Sequence, residues 1–186
     1  MNNFIIAQIF GILGMTMNVL SYQARKQKHV ILVQLFGSLF FVFNMFLLGA
    51  IMGGLLNLIG FFRAIVYANK ERIKHLKRCN TVFITLYIIS YMSVFLIFQK
   101  AITVWNVVIE ILPLIAMIAT TIAFSKTSAA SIRRLALVSS PSWLIYNCFN
   151  LSIGGIICEI CSLISVFTAM LRLDVKRGHT DENTNA

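Results

Sequence analysis

Two carboxylates stand inside apolar runs of this chain, Glu110 and the Glu159 of "LSIGGIICE", residues 151–159. A carboxylate in hydrocarbon costs several kcal/mol, so each should face a bundle interior or water. Around them in register are four amides, Gln8, Asn44, Asn57 and Asn147. Carboxylates carry protons or hold cations. Amides both donate and accept hydrogen bonds. Such a set can bind a polar solute or a proton. It can also serve as hydrogen-bonding glue between helices, at about 0.6 kcal/mol or somewhat more per bond. Glutamate is a costlier glue than asparagine or glutamine, which favours binding.

Those residues must be positioned by membrane helices. Of 186 residues, 59% are hydrophobic and only 12% charged, too few charges to coat a soluble domain of this length. Mean hydropathy is +0.85. Apolar runs of about 20 residues recur without alternation, which excludes a membrane barrel and predicts an all-α polytopic bundle. The expected spans are 4–22, 30–49, 52–69, 81–98, 103–123, 131–150 and 154–172. The opening "MNNFIIAQ" has no basic residue and no small-residue cleavage site follows, so no removable leader is expected. A polar tail, 174–186, is expected to be disordered.

The net charge of +10 raises the question of nucleic acid, which the distribution excludes. Lys and Arg sit in short clusters between apolar runs. The clusters are Arg25, Lys26 and Lys28; Lys70, Arg72, Lys74, Lys77 and Arg78; Lys126, Arg133 and Arg134; and Arg172, Lys176 and Arg177. With seven spans all fall on one side, and the other side has Lys100. That asymmetry puts the N-terminus outside and the C-terminus in the cytoplasm. Arg63, toward the cytoplasmic end of the third span, is expected to snorkel to the headgroups, the alternative being an ion pair within the bundle.

The chain also repeats. At an offset of 102 or 103 residues the first three spans align with the last three. "VFNMFLLGAIMGGLLN" meets "IYNCFNLSIGGIICE". Asn44 then pairs with Asn147, Asn57 with Glu159 and Gln8 with Glu110. The fourth span links two units of like orientation, giving a 3+1+3 parallel repeat. The units are 1–78 and 103–173, with the linker at 79–102. Gly53, Gly54, Gly154 and Gly155 would let the paired helices approach closely. Pro113 and Pro141 each remove a helical hydrogen bond, and Gly11 and Ser38 are their counterparts in the first unit. These are candidate hinges, or static kinks.

Enzyme signatures are absent from the sequence. His29, His75 and His179 lie in loops or the tail, and no G-x-S-x-G, P-loop or H-E-x-x-H occurs. Cys158 and Cys161 have C-x-x-C spacing within an apolar run, where they read as small packing residues; Cys79 and Cys148 stand apart from them. No catalysis, metal or other cofactor is expected.

"SWLIYNCFNLSIGGIICE", "FLLGAIMGGLLN", "AQ" near the start and "SYQARK" after the first helix resemble the YgjV family of bacterial inner-membrane proteins. The resemblance runs from about residue 7 to 173 and is most specific in N-x-F-x-x-S-I-G-G-x-x-x-E, Asn147 to Glu159. It implies a multi-pass inner-membrane protein. The layout is also similar to SWEET transporters and PQ-loop proteins, with two departures. Proline stands only in the second unit, and Tyr22-Gln23 occupies the place of Pro-Gln. The function expected is a small-solute transporter or facilitator. Asn44, Asn57, Asn147 and Glu159 would contact solute or a proton, with Gln8 and Glu110 behind them. Its rival is a receptor or scaffold acting through the basic loops. The bilayer is the partner required, and a homo-oligomer stays open.

Overall fold

The computed structural model describes residues 2–21, 27–69, 72–126 and 129–171. The expected disordered tail, the Tyr22-Gln23 pair, His179 and the basic residues Arg25, Lys26, Lys70, Arg172, Lys176 and Arg177 lie outside them. Seven helices follow one another: α1 Asn2–Ser21, α2 Gln27–Leu47, α3 Ile51–Ala68, α4 Leu76–Leu96, α5 Val104–Ser125, α6 Ala129–Phe149 and α7 Ile153–Ala169. Four are long and apolar enough to cross a membrane: α1, α3, α4 and α5. The apolar stretches of α2 and α7, Val33–Leu47 and Ile153–Ala169, are shorter. Helix α4 starts at Leu76, five residues before the expected span, because its first turn carries Lys77 and Arg78.

The bundle is apolar outside, and several polar side chains are buried within its mainly apolar interior. Ile89, Ile164 and Phe167 are each more than half exposed, whereas Asn44, Arg63, Glu110 and Asn147 are buried. A hydrocarbon solvent favours that placement. Helix α2 packs between α1 and α3, and α6 between α5 and α7. Across the middle α1 meets α7 and α3 meets α5, while α4 lies against α3 and α5. Short turns alternate the helix directions. The turns after α2, α4 and α6 gather at one end with the start of α1; we call this the hairpin end. The other end, carrying the basic clusters, is the basic end.

Two turns at the hairpin end are built alike. After α2, the amide of Ala50 donates to the carbonyl of Met45 and that of Gly49 to Phe46, at 2.9 and 3.1 Å. After α6, Ser152 donates to Asn147 and Leu151 to Cys148, at 3.0 and 3.3 Å. Both are Schellman endings, whose pivot residue takes a left-handed backbone. That pivot is Gly49, φ +74°, in the first turn and Leu151, φ +53°, in the second. Their offset of 102 pairs Asn44 with Tyr146 and Met45 with Asn147. The two asparagines aligned in sequence are therefore one residue out of step, about 100° apart around their helices.

Leu151 has a Cβ in a conformation that suits glycine, and its side chain is 61% exposed. Leu151→Gly should therefore stabilise the protein, by about 1 kcal/mol. Thermal unfolding in detergent checks this; a lower midpoint would mean that the leucine side chain outweighs the backbone strain.

Candidate functional site

Asn57, Asn147 and Glu159 line one central cavity of about 350 Å³, walled by every helix except α4. Asn57 and Glu159 each stand six residues into the helix that follows a hairpin turn. Asn147 faces them from the last turn of α6. Ser140, buried on α6, lines the same cavity as Glu159. The Asn57 amide donates to the carbonyl of Gly53 at 2.9 Å, leaving its oxygen for the cavity. Asn147 is 3% exposed and its Oδ1 has no partner among the described residues. Gln34, Phe124, Arg133 and Val166 also line the space, so it extends to the basic end.

Three of the sequence-selected residues lie elsewhere. Asn44 is fully buried, donating to the carbonyl of Ala7 at 2.7 Å and accepting from the Ser152 hydroxyl at 2.7 Å. Gln8 clasps the α6–α7 turn: its Nε2 donates to Leu151 at 2.8 Å and its Oε1 accepts from the amide of Ile153 at 3.0 Å. Glu110 is ion-paired with Lys100 and accepts from the Tyr146 hydroxyl at 3.3 Å. That hydroxyl in turn accepts from the amide of Gly53 at 3.0 Å. All three residues belong to a polar seam across the hairpin end. Asn44 and Tyr146 play matching parts in it: Asn44 on α2 ties α1 to the start of α7, and Tyr146 on α6 ties α5 to the start of α3.

The glycines complete the seam. A Cβ on Gly154 would lie 2.1 Å from the carbonyl carbon of Gly11, so α1 and α7 cross backbone on backbone. A Cβ on Gly53 would strike the ring of Tyr146 at 2.7 Å. Within the hairpins, Gly54 faces Phe46 and Gly155 faces the Asn147 amide. The first glycine of each pair thus meets a helix from the far part of the chain, α6 for Gly53 and α1 for Gly154, and the second serves contact within a hairpin.

Arg63 corrects an expectation. It neither snorkels nor pairs with a carboxylate among the described residues. It is 6% exposed and lines the cavity. One terminal nitrogen donates to Thr121 at 3.0 Å and to the carbonyl of Met117 at 3.4 Å, and it lies 3.5 Å from the Tyr87 hydroxyl. The guanidinium sits 4.8 Å over the Phe124 ring. Its Nε has no partner among the described residues. The position was legible: Gly53, Leu56, Gly60, Arg63 and Tyr67 form one stripe at helical spacing, all buried.

Helices α5 and α6 run unbroken through Pro113 and Pro141. Beside Pro141 the Ser142 hydroxyl bonds the carbonyl of Val138 at 2.8 Å, a back-bond that favours bending. Cys158 is buried with its sulfur accepting from Asn18, while Cys161 faces outward. The two tryptophans differ sharply. Trp143 is 9% exposed on the cavity wall, against Tyr146, and Trp105 is 61% exposed at the hairpin end, against Phe149.

A family model for Imp-YgjV, described as bacterial inner membrane protein, matches residues 5–177. The chain belongs to the Imp-YgjV family. No curated protein and no solved structure matches it. As an Imp-YgjV protein it resides in the bacterial inner membrane, which suits the apolar exterior. The cavity of this Imp-YgjV chain brings amides, hydroxyls, one carboxylate and the guanidiniums of Arg63 and Arg133 together in a mixed apolar and polar lining. It can hold a polar molecule of modest size.

Proposed function

We propose that this Imp-YgjV protein is a transporter or facilitator of a small polar solute, which passes without chemical change. The central cavity carries the reading: charged and amide side chains from several helices meet in one space, reaching the basic end and stopped at the hairpin end. Glue residues would pair with one another, whereas Asn57, Asn147, Glu159 and Arg63 turn to a common space.

The mechanism is rocking of two three-helix halves, residues 1–78 and 103–173, joined by the linker at 79–102. Matching Schellman turns and the reciprocal contacts of α1 with α7 and α3 with α5 support a parallel repeat. The hairpin-end seam is the closed gate. The bonds that cross it, Gln8 with the α6–α7 turn, Ser152 to Asn44 and Gly53 to Tyr146, would break together as the halves part, with Pro113 and Pro141 taking up the bend. The one-sided basic clusters of the sequence support a basic end in the cytoplasm, with the cavity facing inward.

Uptake into proteoliposomes tests this with a panel of small polar solutes. Saturable flux is expected for one solute class. Glu159→Gln and Asn57→Leu should each slow its initial rate at least about tenfold while the protein keeps its unfolding midpoint to within a few degrees. Absence of flux for every solute, with folded protein in both orientations, would sink the proposal.

A further inference from the structure

Three charged side chains line the cavity: Arg133 toward the basic end, Arg63, and Glu159, and Arg63 and Glu159 do not meet. Arg63 follows Ile51 by twelve residues along α3, and Glu159 follows Ile153 by six along α7. Both helices run inward from the hairpin end. At about 1.5 Å per residue their Cα atoms differ in depth by about 9 Å. No ion pair joins Arg63 to a carboxylate among the described residues. Its surroundings offer hydroxyls, one carbonyl and an aromatic face, which solvate a cation without neutralising it. A buried charge lacking a counter-charge is costly, and a ligand of opposite sign relieves that cost. Two buried polar atoms of cavity-lining residues also lack partners among the described residues, a donor at Arg63 Nε on α3 and an acceptor at Asn147 Oδ1 on α6.

We propose that the cavity takes a small zwitterion, with its anionic group toward Arg63 and its cationic group toward Glu159 and the Asn147 amide oxygen. This rests on the transport reading and narrows it. A cavity of about 350 Å³ is at the small end of ligand sites, so the side chain admitted is limited in size. A neutral polyol would satisfy hydrogen bonds but leave both charges without counter-ions.

The test uses the purified full-length protein in detergent, with binding read by thermal shift and by calorimetry. The probes are L-alanine and L-leucine, then N-acetyl-L-leucine, which lacks the cation, L-leucinamide, which lacks the anion, and glucose as a neutral polyol. Expected is binding of at least one amino acid, weakened tenfold or more by either cap. Glu159→Gln should lose the discrimination against the N-acetyl compound, and Arg63→Gln that against the amide. Should a variant fail to fold, the capping series on the unaltered chain decides alone. Equal binding of capped and uncapped forms, or binding of glucose only, overturns the zwitterion and leaves a solute site standing. If none of these probes binds, the zwitterion falls; the wider solute panel in proteoliposomes then decides the transport reading separately.

Discussion

Gly154→Ala should be among the most damaging single-methyl changes in this protein, costing about 3 kcal/mol or more. The added carbon would stand 2.1 Å from the Gly11 carbonyl carbon and 2.2 Å from its oxygen. Those are backbone atoms of another helix, which cannot swing aside as a side-chain tip can. Either α1 and α7 separate along their crossing or α7 rotates, and both break the bonds of Gln8 to the α6–α7 turn. Overpacking of this kind costs about 1–3 kcal/mol where neighbours yield, and more where they do not. Gly54→Ala is the control. Its new carbon meets the Phe46 ring at 2.6 Å, but that ring is 42% exposed and can turn outward. It should cost about 1 kcal/mol. Unfolding midpoints of the two variants in one detergent check the contrast. Equal losses would mean that the α1–α7 crossing has slack.

Lys100→Met should cost about 3 kcal/mol or more, well beyond Glu110→Gln at about 1 kcal/mol. The asymmetry comes from burial: Glu110 is 1% exposed and Lys100 is 34%. Removing the lysine strands a carboxylate inside the bundle with the Tyr146 hydroxyl as its remaining partner among the described residues. Removing the carboxylate leaves a lysine that can reach water, and glutamine keeps an acceptor for Tyr146. Breaking a buried pair from one side costs about 3–5 kcal/mol because the other charge is stranded. The double variant Lys100→Met/Glu110→Gln should recover most of the loss. Equal and additive costs for the two single changes would exclude a buried ion pair here.

The sequence carried the helices well because lipid enforces a simple rule. Runs of about 20 apolar residues bounded by basic clusters left little choice, and the seven expected spans fall on the seven helices to within a few residues at most ends. Helix α4 differed because Lys77 and Arg78 read as loop, although a helix can extend past the apolar stretch. Asn57, Asn147 and Glu159, singled out as polar groups inside apolar runs, line one cavity. Asn44 escaped because a shift of one residue in alignment turns a side chain by about 100°, from cavity to seam. Tyr146 was overlooked since a tyrosine in an apolar run reads as packing. Yet it is the partner of Asn44 once the turns, not the asparagines, set the register. Arg63 was taken for a headgroup anchor because charge near a helix end usually snorkels, whereas the stripe of Gly60 and Tyr67 on its face pointed inward.

The placement of the two tryptophans gives the molecule an intrinsic optical reporter. Trp143 sits on the cavity wall and Trp105 at the lipid-facing rim, and there are no others in the chain. With Trp105→Phe, emission would come from the cavity alone. Its wavelength would follow local polarity and its quenching by acrylamide would follow access from water. A solute that displaces water from the indole would shift the spectrum blue and slow the quenching. Opening of the hairpin-end seam would do the reverse, so occupancy and gating become separable colours in a cuvette.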